Sequence, residues 1–277
     1  MILADALAGY EKELGAVGEE PEALSFVYRG LKHWDLTQFV LHLRQEVSEE
    51  DEKLLSSIFN QLKAHKPAQY ILGFEDFHGL RFQVDERVLI PRPETEELVE
   101  LILAENPKTE LKVLDIGTGS GAIAVSLKES CPLWQVTASD LSVDALELAR
   151  ENAKLNQVDI SFIQSDVFEV ISDSFDIIVS NPPYISENDK DEVGLNVLAS
   201  EPKMALFADE DGLAIYRQII ERAAKHLSPQ GKLYFEIGYK QGSDLKKLLS
   251  LHFPDKCVRV LKDQFGQDRM VVMDDGN

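Results

Sequence analysis

A glycine-rich turn between a short apolar strand and a helix is the feature that most restricts how this chain can fold. The strand pattern covers residues 111–116, the sequence Gly-Thr-Gly-Ser-Gly follows at 117–121, and a helical pattern runs over residues 122–129. Glycine permits positive φ and lets a ligand approach the backbone, while the start of the helix supplies N–H donors. Many nucleotide-binding folds share this spacing, so it predicts a strand–loop–helix unit with a ligand at the loop.

Strand and helix patterns alternate through the chain beyond this turn. Further strands are predicted at residues 134–139, 160–164, 175–179 and 232–237, with a closing pair at 258–261 and 270–273. Helices are predicted between them, including residues 213–227 and 242–251. Such alternation predicts an α/β fold with a doubly wound, mostly parallel sheet. Its ligand crevice is expected at the carboxyl ends of the strands.

Polar residues stand at the predicted ends of the second and third of these strands. Asp140 follows residues 134–139, the position at which a carboxylate can hold ribose hydroxyls. Ser165-Asp166-Val167-Phe168 follows the next strand and could frame an adenine, with Asp166 near its amine and Phe168 against its face. Taken singly, Asp140 could instead cap a helix and Phe168 could belong to the core.

The fourth strand pattern, residues 175–179, ends in Ser-Asn-Pro-Pro-Tyr-Ile at 180–185. Each proline lacks an N–H and restricts its predecessor, so the segment is stiff and rich in acceptors. The Asn181 side-chain oxygen and the Pro182 carbonyl could take both hydrogens of a planar –NH2 group, with Pro183 beside them and the Tyr184 ring against its plane. A rigid turn without chemistry is the alternative, and the upstream glycine loop makes it the weaker one.

These segments together resemble S-adenosylmethionine-dependent methyltransferases that act on amide or exocyclic –NH2 groups. Three further segments, QYILG at 69–73, LIPRPETEELV at 89–99 and EIGYKQG at 236–242, are similar to the release factor glutamine methyltransferases, the PrmC/HemK family. The resemblance extends from about residue 66 to the end of the chain. One departure is FADEDG at 207–212, where family members more often have paired glycines, which puts the local loop geometry in doubt.

The resemblance implies a Rossmann-like enzyme that methylates the side-chain amide nitrogen of the glutamine in the Gly-Gly-Gln motif of peptide chain release factors, which act in translation termination. The catalytic residues would be Asn181, Pro182 and Tyr184, and Pro183 would join them in binding substrate. The product would be S-adenosylhomocysteine. The residues expected to bind S-adenosylmethionine are Gly117, Thr118, Gly119, Ser120, Gly121, Asp140, Asp166, Val167, Phe168 and Asn181. The resemblance also places Arg92 beside the pocket.

Other activities fit parts of the same pattern. A glutamine methyltransferase of a ribosomal protein would need the same acceptors, and a DNA or RNA amino-methyltransferase acting on adenine or cytosine uses the same tetrapeptide. A cofactor-binding regulatory module and a nicotinamide oxidoreductase are more distant alternatives. The nucleic-acid enzymes usually carry a basic recognition region, and the sequence has no Lys/Arg cluster.

Composition narrows the setting in which the protein works. The formal net charge is −21, which favours a basic partner protein and argues against direct binding of nucleic acid. Two cysteines, Cys131 and Cys257, lie far apart and have no metal-ligand spacing, and the histidines are scattered. No apolar run is long enough to cross a membrane. We expect a cytoplasmic, metal-free monomer.

The chain is expected to divide into three parts. Residues 1–65 carry helical apolar spacing without chemical motifs and predict a small all-α domain. The resemblance implies that this domain docks the protein substrate, and the alternative is a folding appendage. Residues 66–95, with strand-like runs that include residues 70–73, predict a β-hairpin linker, and residues 96–277 predict the catalytic domain. The charged stretch after Tyr184 predicts a long loop to about residue 205 that could gate the substrate.

Overall fold

The computed structural model describes residues 1–107 and 109–276 and separates into two compact units. The first comprises Met1–Phe74 together with Val193–Glu201, and the second comprises Glu75–Glu192 with Pro202–Asn277. These boundaries correct the predicted division at residues 65 and 95. Residues 66–74 belong to the helical unit, the hairpin from Glu75 onward belongs to the second unit, and a segment from the middle of the chain returns to the helical unit.

The first unit is a bundle of helices. Its apolar side chains at helical spacing, including Leu14, Leu24, Val27 and Leu55, are fully buried in a common core. Ser48 accepts a hydrogen bond from the Asp51 N–H and so caps the fourth helix, as Ser commonly does. The helices of this unit before residue 74 are α1 (Leu3–Ala16), α2 (Ala23–Leu31), α3 (Leu36–His42), α4 (Glu49–Lys63) and α5 (Ala68–Leu72).

Helix α5 corrects the prediction of a strand at residues 70–73. Pro67 stands at its N-cap, and Gly73 ends it in the left-handed conformation with φ of 79°. Proline before the first turn and glycine after the last are the usual helix boundaries. The apolar run between them is too short for its periodicity to separate a helix from a strand.

A seven-stranded sheet forms the centre of the second unit, in the order β5-β4-β3-β6-β7-β9-β8. The five strands from β5 to β7 are parallel, and β9 and β8 continue the sheet antiparallel. This confirms the predicted mostly parallel, doubly wound fold. The strands are β3 (Lys112–Ile116), β4 (Gln135–Asp140), β5 (Ser161–Gln164), β6 (Phe175–Ser180), β7 (Leu227–Glu236), β8 (Cys257–Lys262) and β9 (Asp268–Asp274).

Helices cover both faces of this sheet, and each face carries its own apolar core. One core contains Val113, Trp134 and Tyr234, and the other contains Leu114 and Phe235. Alternate residues of a strand point to opposite faces, so Val113 and Leu114 enter different cores. The principal helices are α6 (Pro93–Glu105), α7 (Ala122–Ser130), α8 (Val143–Leu155), α12 (Ala214–Ala223) and α13 (Gly242–His252).

The predicted hairpin is present as β1 (Phe74–Phe77) and β2 (Leu80–Gln83), with Gly79 at φ of 75° in its turn. It is fastened to α8 rather than acting as a free linker. The Asn152 side chain accepts from the Gln83 N–H over 2.7 Å and donates to the Gln83 carbonyl over 3.0 Å. Both hydrogen-bonding groups of a strand residue are thereby satisfied by one buried amide.

The segment after Tyr184 contains short helices where a long loop was predicted. A 3₁₀ helix covers Glu187–Glu192 and is followed by α9 (Leu195–Ser200), α10 (Lys203–Leu206) and α11 (Asp209–Gly212), a single turn whose Glu210 and Asp211 have left-handed backbone. Of these, α9 lies in the helical unit, where the Ser200 hydroxyl donates to the His65 carbonyl over 3.1 Å. Among the helices described, none combines the length and the apolar character needed to cross a membrane.

Candidate active site

A cleft lies at the carboxyl ends of the parallel strands of the second unit, where the chain turns back to the other side of β3. This is the position expected for a ligand in a doubly wound sheet. Segments far apart in the chain line it: the glycine loop, the ends of β4, β5 and β6, and residues 87–92. Among the predicted residues that line it are Gly117, Thr118, Gly119, Ser120, Asp140, Asp166, Val167, Asn181, Pro182 and Pro183.

The glycine loop leaves space on the cleft side. Gly117 and Gly119 have φ of 71° and 55°, and a Cβ added to either would meet no heavy atom within 4 Å. Gly121 has φ of 83°, but its Cβ would lie 3.3 Å from the Cβ of Ala149. Gly121 is therefore explained by the packing of α7 on α8, and it is absent from the lining residues described.

The backbone donors of this loop are largely used within the protein. The N–H groups of Gly117 and Thr118 both donate to the Ser139 carbonyl, over 2.8 and 2.9 Å. The Gly119 N–H donates to Asp140 Oδ2 over 2.9 Å. At its first three positions the loop therefore offers a ligand open space beside Gly117 and Gly119, whereas the N–H groups of these positions are already paired within the protein.

Asp115, a fully buried residue of β3, lies behind the glycine loop and was not selected by sequence analysis. Its Oδ2 accepts from the Thr118 hydroxyl over 2.6 Å, and burial raises the pKa of its carboxyl to about 7. Oδ1 makes no hydrogen bond of good geometry among the described residues, although the backbone N–H of Ala124 lies close enough to the carboxyl to lower its pKa. Removing an ionised carboxylate from water is costly, which is why burial raises this pKa.

Asp140 is held rigidly at the end of β4. Its two oxygens accept from the N–H groups of Gly119 and Ser142, each over 2.9 Å. The cap of α8 is Ser142, whose hydroxyl accepts from the Ala145 N–H. Asp140 is therefore not the cap of this helix, which was the alternative that the sequence left open. Burial is the largest influence on the Asp140 carboxyl and raises its pKa.

The segment after β5 is divided between the cleft and the core. Asp166 and Val167 line the cleft, and Val167 has φ of 51°, an unfavourable conformation for a β-branched residue. Phe168 is 2% exposed and stacks on His226, with ring centroids 4.2 Å apart. The structure does not bring Phe168 to the cleft, because its ring completes the apolar core below the sheet. The left-handed conformation of Val167, in contrast, is a strained one of the kind that concentrates at binding sites.

The Asn-Pro-Pro-Tyr turn presents its first three residues to the cleft and turns Tyr184 aside. The Tyr184 ring is partly buried against the apolar core, and burial raises the pKa of its hydroxyl to about 12. Its carbonyl accepts from the Gln241 side chain over 2.9 Å, and the same side chain accepts from the Gly238 N–H. The predicted contact of the Tyr184 ring with a substrate amide therefore stays a prediction.

Two buried residues behind this turn were not predicted as site residues. The Thr95 hydroxyl donates to the Glu236 carboxylate over 2.6 Å and accepts from the Asn181 side-chain nitrogen over 3.3 Å. Burial raises the pKa of the Glu236 carboxyl to about 7. The signal in the sequence was the two segments PRPET and EIGYKQG, whose resemblance carried no assigned chemistry.

The groups that line the cleft fit S-adenosylmethionine. Asp140 lines the cleft and supplies a charged acceptor for hydroxyl groups, and the glycine loop supplies open space that a Cβ at Gly117 or Gly119 would fill. In the part of the chain that the structure describes, no three His, Cys, Asp or Glu side chains are grouped so as to hold a metal ion.

The doubly wound sheet and this cleft define an S-adenosylmethionine-dependent methyltransferase. Two family models match the chain: the PrmC N-terminal domain over residues 5–73 and the methyltransferase small domain over residues 95–209. A release factor glutamine methyltransferase of Streptococcus pneumoniae is 61% identical over 277 residues, covering 100% of this chain and 99% of the relative. That of Lactococcus lactis is 50% identical, covering 94% and 96%. The chain belongs to the release factor glutamine methyltransferase family.

Solved structures show the same fold at low sequence identity. A methyltransferase from Pyrococcus furiosus superposes with a TM-score of 0.54 at 21% identity, covering 72% of this chain and 90% of the other. The Thermus thermophilus 16S rRNA N2 G1207 methyltransferase, in complex with AdoMet and guanosine, has a TM-score of 0.52 at 18% identity, covering 73% and 49%. These similarities support the fold of the second unit.

Proposed function

We propose that this chain transfers a methyl group from S-adenosylmethionine to the side-chain amide nitrogen of the glutamine in the Gly-Gly-Gln motif of peptide chain release factors. The observation that carries the proposal is that Asn181 and Pro182 line the same cleft as the glycine loop and Asp140. Two acceptors suited to an –NH2 group thus share one cavity with the groups suited to the cofactor. The family of the chain supplies the identity of the substrate.

The cofactor would be held by groups from four strand ends. Residues 117–120 would accommodate it along the open side of the loop, and Asp140 would accept from its ribose hydroxyls. Asp166 and Val167 would border the adenine, whereas Gly121 and Phe168 would act only through packing. When bound, S-adenosylmethionine supplies an electrophilic methyl group on a positively charged sulfur.

The chain's own residues would make a poor nucleophile reactive by orienting it. An amide nitrogen shares its lone pair with the carbonyl, so it must be turned as well as brought close. The Asn181 side-chain oxygen and the Pro182 carbonyl would accept its two hydrogens, leaving the lone pair directed at the methyl group. The same acceptors stabilise the positive charge that develops on nitrogen, which is a transition-state effect. The surplus proton would leave to water afterwards.

The helical unit would hold the rest of the release factor. This unit carries none of the proposed catalytic residues, while three large apolar side chains of α3, Leu36, Val40 and Leu41, are more than half exposed. Exposed apolar patches commonly mark protein interaction sites. The formal charge of −21 favours a basic protein partner over nucleic acid. The enzyme would act as a cytoplasmic monomer without a metal ion.

The test is single-turnover methylation by Asn181→Ala and Asn181→Asp. Loss of an oriented group at a developing charge typically slows turnover about 10²–10³-fold, so Asn181→Ala should be at least about a hundredfold slower. Asn181→Asp keeps an acceptor but adds negative charge. Calorimetry should show cofactor affinity near that of the wild type for both variants. A wild-type rate for Asn181→Ala would mean that the turn is only a rigid connection.

The substrate is tested with labelled S-adenosylmethionine and three separate acceptors: purified release factor, ribosomal proteins and nucleic acid. Label on the Gly-Gly-Gln glutamine, located by peptide mass analysis, is the expected result. Label on a ribosomal-protein glutamine would show that the substrate is a ribosomal protein and would leave the proposed amide methylation unchanged. Label on nucleic acid would overturn the assignment to a protein amide.

A further inference from the structure

Three polar side chains from three elements meet behind the Asn-Pro-Pro turn. Thr95 lies in the first turn of α6, Glu236 ends β7, and Asn181 follows β6. Thr95 is 5% exposed and Glu236 only 2%, so the protein shields their contacts from solvent. Buried polar groups need their partners, and each partner restricts the donor or acceptor role of the next.

Chemistry fixes which group donates and which accepts in the hydrogen bonds that link Asn181, Thr95 and Glu236. An ionised carboxylate can only accept, so the Thr95 hydroxyl must donate its single hydrogen to Glu236 across the 2.6 Å contact. The Thr95 oxygen can then only accept from Asn181, which requires that the amide nitrogen face it, at 3.3 Å. Asn181 also donates toward Glu236 itself. The Asn181 oxygen is left for the side of the cleft.

We propose that Thr95 and Glu236 are positioning residues that set the direction of the Asn181 amide, with its nitrogen toward the protein and its oxygen toward the methyl-accepting amide. The two ends of an asparagine amide have nearly the same shape, so packing alone distinguishes them poorly. A flipped amide would present two donors to a substrate –NH2 group that also donates. The inference rests on the proposed function for the identity of the substrate, whereas the direction of the amide is a property of the protein alone.

The protonation of Glu236 controls this direction. Charged and titratable groups face it from several elements: Arg269 of β9 favours its ionised form, while Glu94 of α6 opposes it. The Tyr184 hydroxyl lies within the same electrostatic environment, and the Tyr216 hydroxyl donates to the Glu236 backbone carbonyl over 2.6 Å. When Glu236 is protonated it can donate to Thr95, whose hydroxyl is then free to donate to a flipped Asn181 oxygen. Because burial raises the pKa of Glu236 to about 7, this release is expected as the pH falls through about 7.

The first experiment observes the Asn181 amide directly in cofactor-free, full-length protein labelled with ¹⁵N at asparagine side chains. The signal is identified by its absence in Asn181→Ala. In the wild type we expect slowly exchanging Nδ2 hydrogens whose shifts titrate with a midpoint near pH 7. In Thr95→Val, which has nearly the same shape without a hydroxyl, the protection should fall, because Glu236 is then the remaining acceptor for the Asn181 amide. A titration that persists in Glu236→Gln would belong to another group, such as Asp115, and would overturn the role of Glu236.

The second experiment measures single-turnover methylation of release factor at saturating cofactor. Thr95→Val and Glu236→Gln should each be at least about tenfold slower with unchanged cofactor affinity, while Thr95→Ser, which restores the hydroxyl, should remain within about threefold of the wild type. Tyr216→Phe is the control for lost stability, since it removes a buried hydrogen bond to the Glu236 backbone but leaves the carboxylate paired. It should melt at a lower temperature and retain the wild-type Asn181 signals.

The outcomes separate this inference from the proposed function. A wild-type rate and unchanged Asn181 signals in Thr95→Val would show that Thr95 and Glu236 merely tie α6 to the sheet, and would overturn the inference. Failure of the wild type to methylate release factor, with the expected Asn181 signals in all variants, would overturn the proposed substrate and support the positioning role.

Discussion

At the scale of single residues, two carboxyl groups are buried behind the cleft, where water is scarce. Asp115 and Glu236 are 0% and 2% exposed, and both have a pKa raised to about 7 chiefly by burial. Neither would be buried for the sake of stability, because an ionised carboxylate is costly to remove from water. Both stand next to positions proposed to act on ligands, as perturbed groups commonly do.

These two carboxyls predict how stability depends on pH. From about pH 4 to about pH 7 the folded state keeps protons that the unfolded state has released, so the free energy of unfolding falls as the pH rises. Each group contributes a slope of up to about 1.4 kcal/mol per pH unit, levelling off above about pH 7. Urea unfolding of the cofactor-free protein between pH 5 and pH 8 measures the slope. Asp115→Asn should reduce it clearly, and an unchanged slope would contradict the assignment for Asp115.

Asp140 predicts a loss of cofactor affinity without loss of the fold. In Asp140→Ala the ribose hydroxyls lose a charged acceptor worth roughly 1.5–3 kcal/mol, or about tenfold to hundredfold in Kd. Calorimetry measures the affinity, and circular dichroism checks the fold, since the N–H groups of Gly119 and Ser142 also lose their partner. Asp140→Asn, which keeps the shape and one acceptor, should fall between alanine and the wild type. Unchanged affinity in Asp140→Ala would remove this residue from the site.

At the scale of elements, a strained turn supports the Asn-Pro-Pro-Tyr segment from behind. In the FADEDG segment, Ala208 has extended backbone with φ of −136° and needs no glycine. Glu210 and Asp211 take φ of 56° and 55°, a left-handed conformation that side chains with a Cβ rarely adopt. Gly212 follows at φ of 81°, and a Cβ there would lie 2.0 Å from the Tyr184 carbonyl oxygen.

A pair of glycine substitutions separates backbone strain from this contact. Gly212 and Gly266 have nearly equal φ, 81° and 80°, but a Cβ at Gly266 would meet nothing within 4 Å. Each Gly→Ala change should cost about 1–2 kcal/mol of stability from strain alone. Only Gly212→Ala should also displace Tyr184 and slow turnover, because its methyl group would occupy the position of the carbonyl. Thermal melts and kcat distinguish the effects, and equal kcat values for the two variants would contradict the prediction.

At the scale of the whole molecule, the two units are interleaved in sequence. The chain leaves the helical unit after Phe74, returns for Val193–Glu201, and leaves again at Pro202. The returning segment follows the Asn-Pro-Pro-Tyr turn by only eight residues. Deleting residues 1–65 would remove the partner that His65 provides for Ser200, so a truncation would disturb more than docking. Surface substitutions test the docking role more cleanly.

The exposed apolar side chains of α3 predict a change in substrate affinity. Leu41→Ser should raise the KM for release factor several-fold through lost apolar contact and leave cofactor affinity unchanged. Leu251→Ser is the matched control, because Leu251 in α13 of the other unit is 76% exposed against 67% for Leu41. Initial rates over a range of release factor concentrations give both constants. Equal KM values for the two variants would argue against docking on α3.

The local pattern of the sequence determined the architecture and most of the cleft. Strand and helix periodicity predicted a doubly wound, mostly parallel sheet, and the residues at the ends of β3 to β6 followed because parallel strands bring their carboxyl ends to one edge. Asp140, Asp166 and Asn181 were found in this way. The same reasoning could not recognise that residues 68–72 are helical, since the apolar run at 70–72 is only three residues long and fits either period.

Only the tertiary structure decided which side chains share an environment. Thr95 and Glu236 are 141 residues apart in sequence, and nothing in either local pattern indicates their 2.6 Å hydrogen bond. Phe168 lies outside the cleft because its ring packs in the apolar core, where it stacks on the His226 ring. Gly121 serves helix packing, and residues 193–201 join a unit that precedes them by more than a hundred residues. Periodicity reports which face of an element is buried, whereas the partner it is buried against depends on how the whole chain packs.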